Sequence, residues 1–194
     1  MIDVAGLAVP GSWVVTSRVF SDDRGAFLEW FRPDQFEAET GKQFRVAQAN
    51  ESISRRGVVR GIHFADVPPG QSKWVHCTAG AVLDVVVDIR VGSPTFGRSD
   101  AVVLDAAEHR SVVISEGLGH GFCALTDEAA VSYLLSDVYR PDAEHGIDPQ
   151  DHELAIEWPF PAAELILSAK DAAAPTLAEA AASGLLPRWP ADAG

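Results

Sequence analysis

Lysine is scarce in this sequence. Lys42, Lys73 and Lys170 are the only three in 194 residues, and twelve arginines complete a basic count of 15 against 28 acidic residues, a formal charge of −13. So acidic a surface repels polyanions, which excludes nucleic acid and anionic membranes as expected partners. Any site for an anionic ligand must therefore be local and built mostly from arginine, and the position of each lysine becomes informative. Long apolar runs are also missing: nothing approaches the roughly 18–20 residues that a membrane helix needs, and MIDVAGLAVP offers no basic stretch ahead of an apolar core. The expected localisation is cytoplasmic, with no membrane contact. Cysteine is limited to Cys77 and Cys123, each inside an apolar run and without C-x-x-C spacing. That excludes a disulfide framework or a zinc knuckle and makes both buried free thiols.

Several signatures are absent too. The six histidines (63, 76, 109, 120, 145 and 152) include no H-x-H beside a carboxylate and no H-E-x-x-H, so no catalytic metal is expected. There is no G-x-G-x-x-G after a strand, no P-loop and no G-x-S-x-G, which removes the support for nucleotide-fold cofactors and nucleophile-elbow hydrolases.

What is present is a succession of short apolar runs separated by Gly, Pro, Asp and Ser, the pattern of an all-β sandwich or barrel. Strands are expected at 13–20, 26–31, 44–50, 58–64, 73–77, 81–91, 101–104, 111–114, 119–125 and 129–136. The clearest is 81–91, where Leu83, Val85, Val87, Ile89 and Val91 form one apolar face while Asp84, Asp88 and Arg90 share the other. Ser21 to Gly25 reads as a hairpin loop, Val67 to Gly70 as a loop and Gly92 to Thr95 as a turn. Pro33 to Thr40 reads as a short helix, and Leu177 to Leu185 as a helix ended by Gly184. One domain is expected over 1–194, with a barrel core at about 12–136 and C-terminal loops and a helix over 137–194 packed on it.

The segment RRGVVRGIHF at 55–64 gathers three arginines and a histidine in an acidic chain, which suggests an anion site. Strict alternation sends Arg60 and His63 to opposite faces; both reach one cavity only if Gly61 introduces a bulge or bend. Lys73 shares a strand face with Val75 and Cys77, which suits a lysine facing a cavity or one guarding an edge. His120 shares a face with Phe122 and Ala124, and its flanking glycines would let a ligand approach the backbone. Tyr133 and Tyr139 are the only tyrosines. Taken singly, each of these residues fits a packing role as well as a chemical one.

Taken together they resemble one family. DDRGAFLEWF at 22–31, QAN at 48–50, SRRGVVRGIHF at 54–64, PPGQSKWV at 68–75, DIRVGSPTFG at 88–97, GLGHGF at 117–122, Tyr133, the stretch from Tyr139 to Ile147, and LSAKD at 167–171 are similar, in order, to the dTDP-4-dehydrorhamnose 3,5-epimerases. The resemblance implies a cupin-like jelly-roll barrel with a few short helices, no metal and no organic cofactor, a homodimer, and a dTDP-4-keto-6-deoxyhexose substrate. Its reaction moves a proton from carbon beside the ketone to the opposite face through an enolate.

By resemblance His63 is the base, oriented by Asp171; Lys73 holds the developing oxyanion and Tyr133 returns the proton. Histidine has a reference pKa of about 6.5 and tyrosine about 10, which suits a base and a neutral acid at pH 7. Arg24, Glu29, Gln48, Asn50, Arg60, His120, Glu144 and Lys170 resemble the family's contacts to the nucleotide sugar, with Tyr139 stacking on thymine. Arg24 and Glu29 belong to a hairpin that in this family can reach into the partner subunit's site. VSYLLSDVY at 131–139 and HGIDPQDHELAIEW at 145–158 resemble the epimerases of antibiotic deoxysugar pathways, some of which act at C3 or C5 alone. The competing readings are a dTDP-keto-sugar 3,4-ketoisomerase on a similar barrel and a non-catalytic cupin that binds nucleotide sugars; the set Lys73, Tyr133 and Asp171 favours epimerisation.

Overall fold

The computed structural model describes residues 1–189, so residues 190–194 of the expected C-terminal segment lie outside the described residues. Thirteen strands form in order: β1 (Ile2–Gly6), β2 (Ser12–Ser17), β3 (Val19–Asp22), β4 (Gly25–Leu28), β5 (Gln48–Ser54), β6 (Val59–Ala65), β7 (Lys73–Ala79), β8 (Ala81–Val87), β9 (Ser99–Asp105), β10 (Arg110–Ile114), β11 (Gly119–Ala124), β12 (Ala129–Leu135) and β13 (Glu144–Gly146). Three α-helices accompany them: α1 (Pro33–Thr40), α2 (Ala169–Ala172) and α3 (Leu177–Ala182). No helix among the described residues is long and apolar enough to cross a membrane.

One antiparallel sheet runs β1-β2-β10-β7-β12-β5 and a second β13-β6-β11-β8-β9, while β3 and β4 stand apart as a hairpin. The two sheets enclose Val75, Cys77, Val82, Val86, Leu104, Phe122 and Val131, giving the expected cupin-like double-sheet barrel. Both cysteines are free and buried, and burial pushes each thiol up to about 11.

Each sheet also packs on its outer face. Val15, Trp74 and Val113 meet Phe36 of α1 and Phe44, and three rings contact the Trp74 indole edge-on at 5.0–5.7 Å. Ile62, Val85, Val87 and Ile89 meet Ile147, Leu154, Leu177 and Leu186 of the C-terminal segment. The tail therefore packs on the barrel as the sequence indicates, and α3 begins with a capping box between Thr176 and Glu179. That helix ends at Ala182, before Gly184 at φ +74.

Three sequence expectations are corrected. The strand foreseen at 81–91 stops at Val87, and its polar face is no solvent face: Asp84, Asp88 and Arg90 are all buried. Asp88 turns the chain out of the sheet by accepting hydrogen bonds from Arg90, Ser93 and Thr95. Burial alone would raise the Asp88 carboxyl, but these donors hold it below the ordinary carboxylate range. The strand foreseen at 44–50 begins at Gln48 and runs on to Ser54, because Phe44 is spent on the Trp74 cluster. Strands β1 and β13 have no counterpart in the sequence expectations; both are short and lie at sheet edges.

Candidate functional site

A cavity of about 490 Å³ opens between the sheets, within the range of small-molecule sites. It brings together Arg60 and His63 of β6, Lys73 of β7, His120 of β11, Tyr133 of β12 and Glu144 of β13. Tyr139 and the segment Ile166–Asp171 complete its wall.

The bulge required at Gly61 is present. His120 pairs with His63 and Phe122 with Arg60, so three steps along β6 match two along β11, and Gly61 takes φ +122. A Cβ on Gly61 would lie 2.5 Å from the Gly121 Cα and 2.6 Å from the His120 carbonyl oxygen. Two glycines back to back thus let β6 slip by one residue and send Arg60 and His63 into the same cavity. The expectation that the glycines beside His120 admit a ligand is corrected: a Cβ on Gly119 or Gly121 would come within 2.7 or 2.8 Å of Ile62, so these glycines make room for the neighbouring strand.

The tail supplies the other half. Val59 N–H donates to the Ile166 carbonyl and Ile166 N–H to the Gly57 carbonyl, fastening the tail alongside the start of β6. Ser168 then caps α2 by accepting the Asp171 N–H at 3.0 Å. The result is a 2.6 Å bond between His63 Nε2 and Asp171 Oδ1, with His63 one-third exposed and Asp171 at 6%. A carboxylate only accepts, so Nε2 carries a hydrogen, and in the neutral ring Nδ1 keeps its lone pair. Burial would raise the Asp171 carboxyl, but the bond and charge of His63, with Ser168 and Lys170, hold it below the ordinary range.

Lys73 is half-buried on the cavity side of β7. Burial lowers its ammonium pKa, and the charges of Glu144 and Asp84 oppose that shift. Arg60 donates to Ser54 at 3.1 Å, and Tyr139, about half exposed, anchors its N–H on Gln48 Oε1 at 2.8 Å. Gln48 also donates to Asn50 at 2.8 Å; these two lie beside the cavity wall rather than in it. Arg24 and Glu29 are farther off. Arg24 pairs with Asp22 in the turn of the β3–β4 hairpin and Glu29 with Arg32. Among the described residues no three His, Cys, Asp or Glu side chains converge on a point that could hold a metal ion.

Sequence reasoning missed Asp84, whose Oδ2 accepts from His120 Nε2 at 2.8 Å. It also missed Ser52, whose buried hydroxyl in the cavity wall has no partner. The signal for Ser52 was the alternation of Gln48, Asn50, Ser52 and Ser54 along one inward face of β5.

Known proteins share this sequence and fold. A sequence model of the dTDP-4-dehydrorhamnose 3,5-epimerases matches residues 6–179. A dTDP-4-dehydrorhamnose 3,5-epimerase of Mycolicibacterium smegmatis is 56% identical over 94% of this chain and 90% of that protein. A dTDP-4-dehydrorhamnose 3-epimerase of Streptomyces niveus is 53% identical over 94% of this chain and 87% of its own length. The crystal structure of a 4-keto-6-deoxy sugar epimerase from the novobiocin cluster of Streptomyces spheroides superposes with a TM-score of 0.94 at 51% identity, covering 97% of this chain and 94% of that one. A 3'-monoepimerase of Streptomyces bikiniensis, in complex with dTDP-quinovose, superposes with a TM-score of 0.90 at 47% identity, covering 94% and 91%. With sequence and fold shared along almost its whole length, the chain belongs to the dTDP-4-dehydrorhamnose 3,5-epimerase family.

Proposed function

We propose that this chain is a cytoplasmic, homodimeric epimerase that inverts C3, with or without C5, of a dTDP-4-keto-6-deoxyhexose. The observation that carries the reading is the His63–Asp171 pair, open to a cavity that also holds a lysine and a tyrosine. His63 Nδ1 takes the proton from carbon beside the ketone; the C–H pair becomes the enolate double bond and the carbonyl pair moves onto the C4 oxygen. Asp171 fixes the tautomer and stabilises the imidazolium. Lys73 balances the new negative charge on oxygen. Tyr133 O–H then delivers a proton to the opposite face of the carbon and the carbonyl reforms; the phenolate takes a proton from solvent and the His63 imidazolium releases one to it.

Arg60 suits the diphosphate, because its planar fork donates two parallel hydrogen bonds, and Tyr139 at the rim suits a stacked thymine. Lys170, Glu144 and His120 are assigned to the nucleotide sugar, and Gln48 and Asn50 to the support of that wall. Arg24 and Glu29 fit the site of a second copy better than their own: the β3–β4 hairpin stands apart from both sheets and exposes Phe20 and Phe27 at 45% and 65%. An exposed aromatic pair on a protruding hairpin is a surface suited to a partner subunit.

Incubation with dTDP-4-keto-6-deoxyglucose in deuterated water, read by NMR, tests the activity. Deuterium at C3 alone assigns a 3-epimerase, and deuterium at C3 and C5 the double enzyme; none at either carbon rules the reading out. Tyr133→Phe sharpens it: exchange should continue while epimer formation falls, because His63 can return a deuteron only to the original face. Parallel loss of exchange and epimer would deny Tyr133 the acid role.

A further inference from the structure

Asp84 has no part in the steps above, yet it sits beside the groups that perform them. It lies mid-way along β8, opposite Phe122 of β11, with its side chain fully enclosed. Its inward-facing strand neighbours are Val82 and Val86 of the barrel core. Oδ2 accepts from His120 Nε2, and Oδ1 is buried with no hydrogen-bond partner among the described residues. A buried carboxylate oxygen without a partner is strongly unfavourable unless a nearby cation offsets its charge. Lys73 faces the same interior from β7 and interacts with Asp84 through space.

We propose that Asp84 is a positioning residue for the epimerisation, which keeps Lys73 an ammonium in the cavity wall and holds His120 as the Nε2–H tautomer. The inference rests on the oxyanion role given to Lys73 above. A buried lysine tends to lose its proton, and a neutral amine cannot balance an enolate. Lys73 shares the cavity wall with Glu144 from β13, Tyr133 from β12 and His120 from β11, while Asp84 of β8 lies outside that wall, bonded to His120. Across the cavity stand Arg60 and His63 of β6, with Lys170 and Asp171 of α2. Arg60 and Lys170 oppose a second cation, but both are exposed and water screens them. Asp171 is committed to His63. Glu144 is half-buried at the edge strand and shares its carboxylate with Gln71 at 3.4 Å. Glu144 acts on Lys73 more strongly than Asp84 does, but solvent reaches it, whereas Asp84 is fully enclosed with an oxygen still uncommitted.

With three lysines in the chain, an NMR titration of labelled lysine side chains resolves Lys73 directly. Asp84→Asn should lower the Lys73 midpoint by about one pH unit or more, leaving Lys42 and Lys170 unmoved. The alkaline limb of kcat/KM for dTDP-4-keto-6-deoxyglucose should shift by the same amount. His120→Gln, which retains the Asp84 charge, should raise KM and leave that limb in place. An unchanged Lys73 midpoint in Asp84→Asn overturns the proposal. Should Asp84→Asn not fold, Asp84→Ser replaces it; if neither neutral variant folds, Asp84 is structural and the proposal fails. The titration contains no substrate, so its result is independent of the sugar assignment.

Discussion

His63 and His120 lie directly opposite one another on neighbouring strands, and each bonds an aspartate through Nε2. The resemblance ends there. The His63–Asp171 pair bridges a strand and a tail helix at 2.6 Å, and its imidazole is one-third exposed. The His120–Asp84 pair joins adjacent strands of one sheet at 2.8 Å, with exposures of 10% and 0%. An imidazole open to the cavity can exchange a proton with substrate and then with water. One sealed against a sheet can only present a fixed nitrogen and pass on the charge behind it. Chemically similar pairs are separated by which part of the fold holds the carboxylate.

The largest effect should come from removing the open imidazole: His63→Ala is expected to cut deuterium wash-in at every carbon by roughly 10³- to 10⁴-fold. Exchange at the normal rate would move the base elsewhere. Asp171→Asn keeps the imidazole and loses its orienting charge, with an expected fall of about 10²-fold in kcat. The same variant tests the sign of the pairing energy. Because the folded Asp171 carboxyl is held below its ordinary value, its stabilisation is present above about pH 4 and fades as pH falls through the folded pKa. The wild type should therefore melt higher than Asp171→Asn at pH 7, and the two should converge in acid.

Tyr139→Ala leaves both pairs intact and should raise KM about tenfold with kcat nearly unchanged, since stacking on the base is remote from the ketone. An unchanged KM would remove the thymine role. The smallest effect concerns stability. Burial lowers the folded pKa of Lys73, so its protonated form penalises the fold at neutral pH and the penalty is relieved as pH rises through that pKa. Lys73→Met removes that penalty together with the cation that offsets the buried Asp84 carboxylate, so Tm at pH 7 should stay within about 2 °C of the wild type. A larger fall in Tm would show that the ammonium is more than offset by Asp84 and Glu144.

Much of the barrel was legible through one signal, the short buried apolar run, as along β8, β10 and β11. It failed at β5, where Gln48, Asn50, Ser52 and Ser54 face inward and Ala49, Glu51 and Ile53 face out. A strand with a polar site wall on one side and solvent on the other carries little hydrophobic contrast. Asp84 was visible only as a polar member of an alternating strand, because burial and the bond to His120 are properties of two strands 36 positions apart. Gly61 was different: the need to send Arg60 and His63 to one side was a local geometric demand, and the glycine was there to meet it. Asp171 was legible only through family resemblance, since no local pattern joins LSAKD to His63.

The tail that carries Asp171 has a consequence in time. His63 and its carboxylate are 108 positions apart, and the last barrel strand, β12, ends at Leu135. During synthesis from the N-terminus both sheets, apart from the short β13, can be complete before α2 leaves the ribosome, so the barrel passes through a stage with His63 unoriented. The His63–Asp171 bond thus forms with the docking of a late segment, held by Val58–Ile166 pairing and the outer apolar layer. A chain stopped after residue 165 would keep the sequence of β1–β13 and lack the carboxylate that His63 bonds.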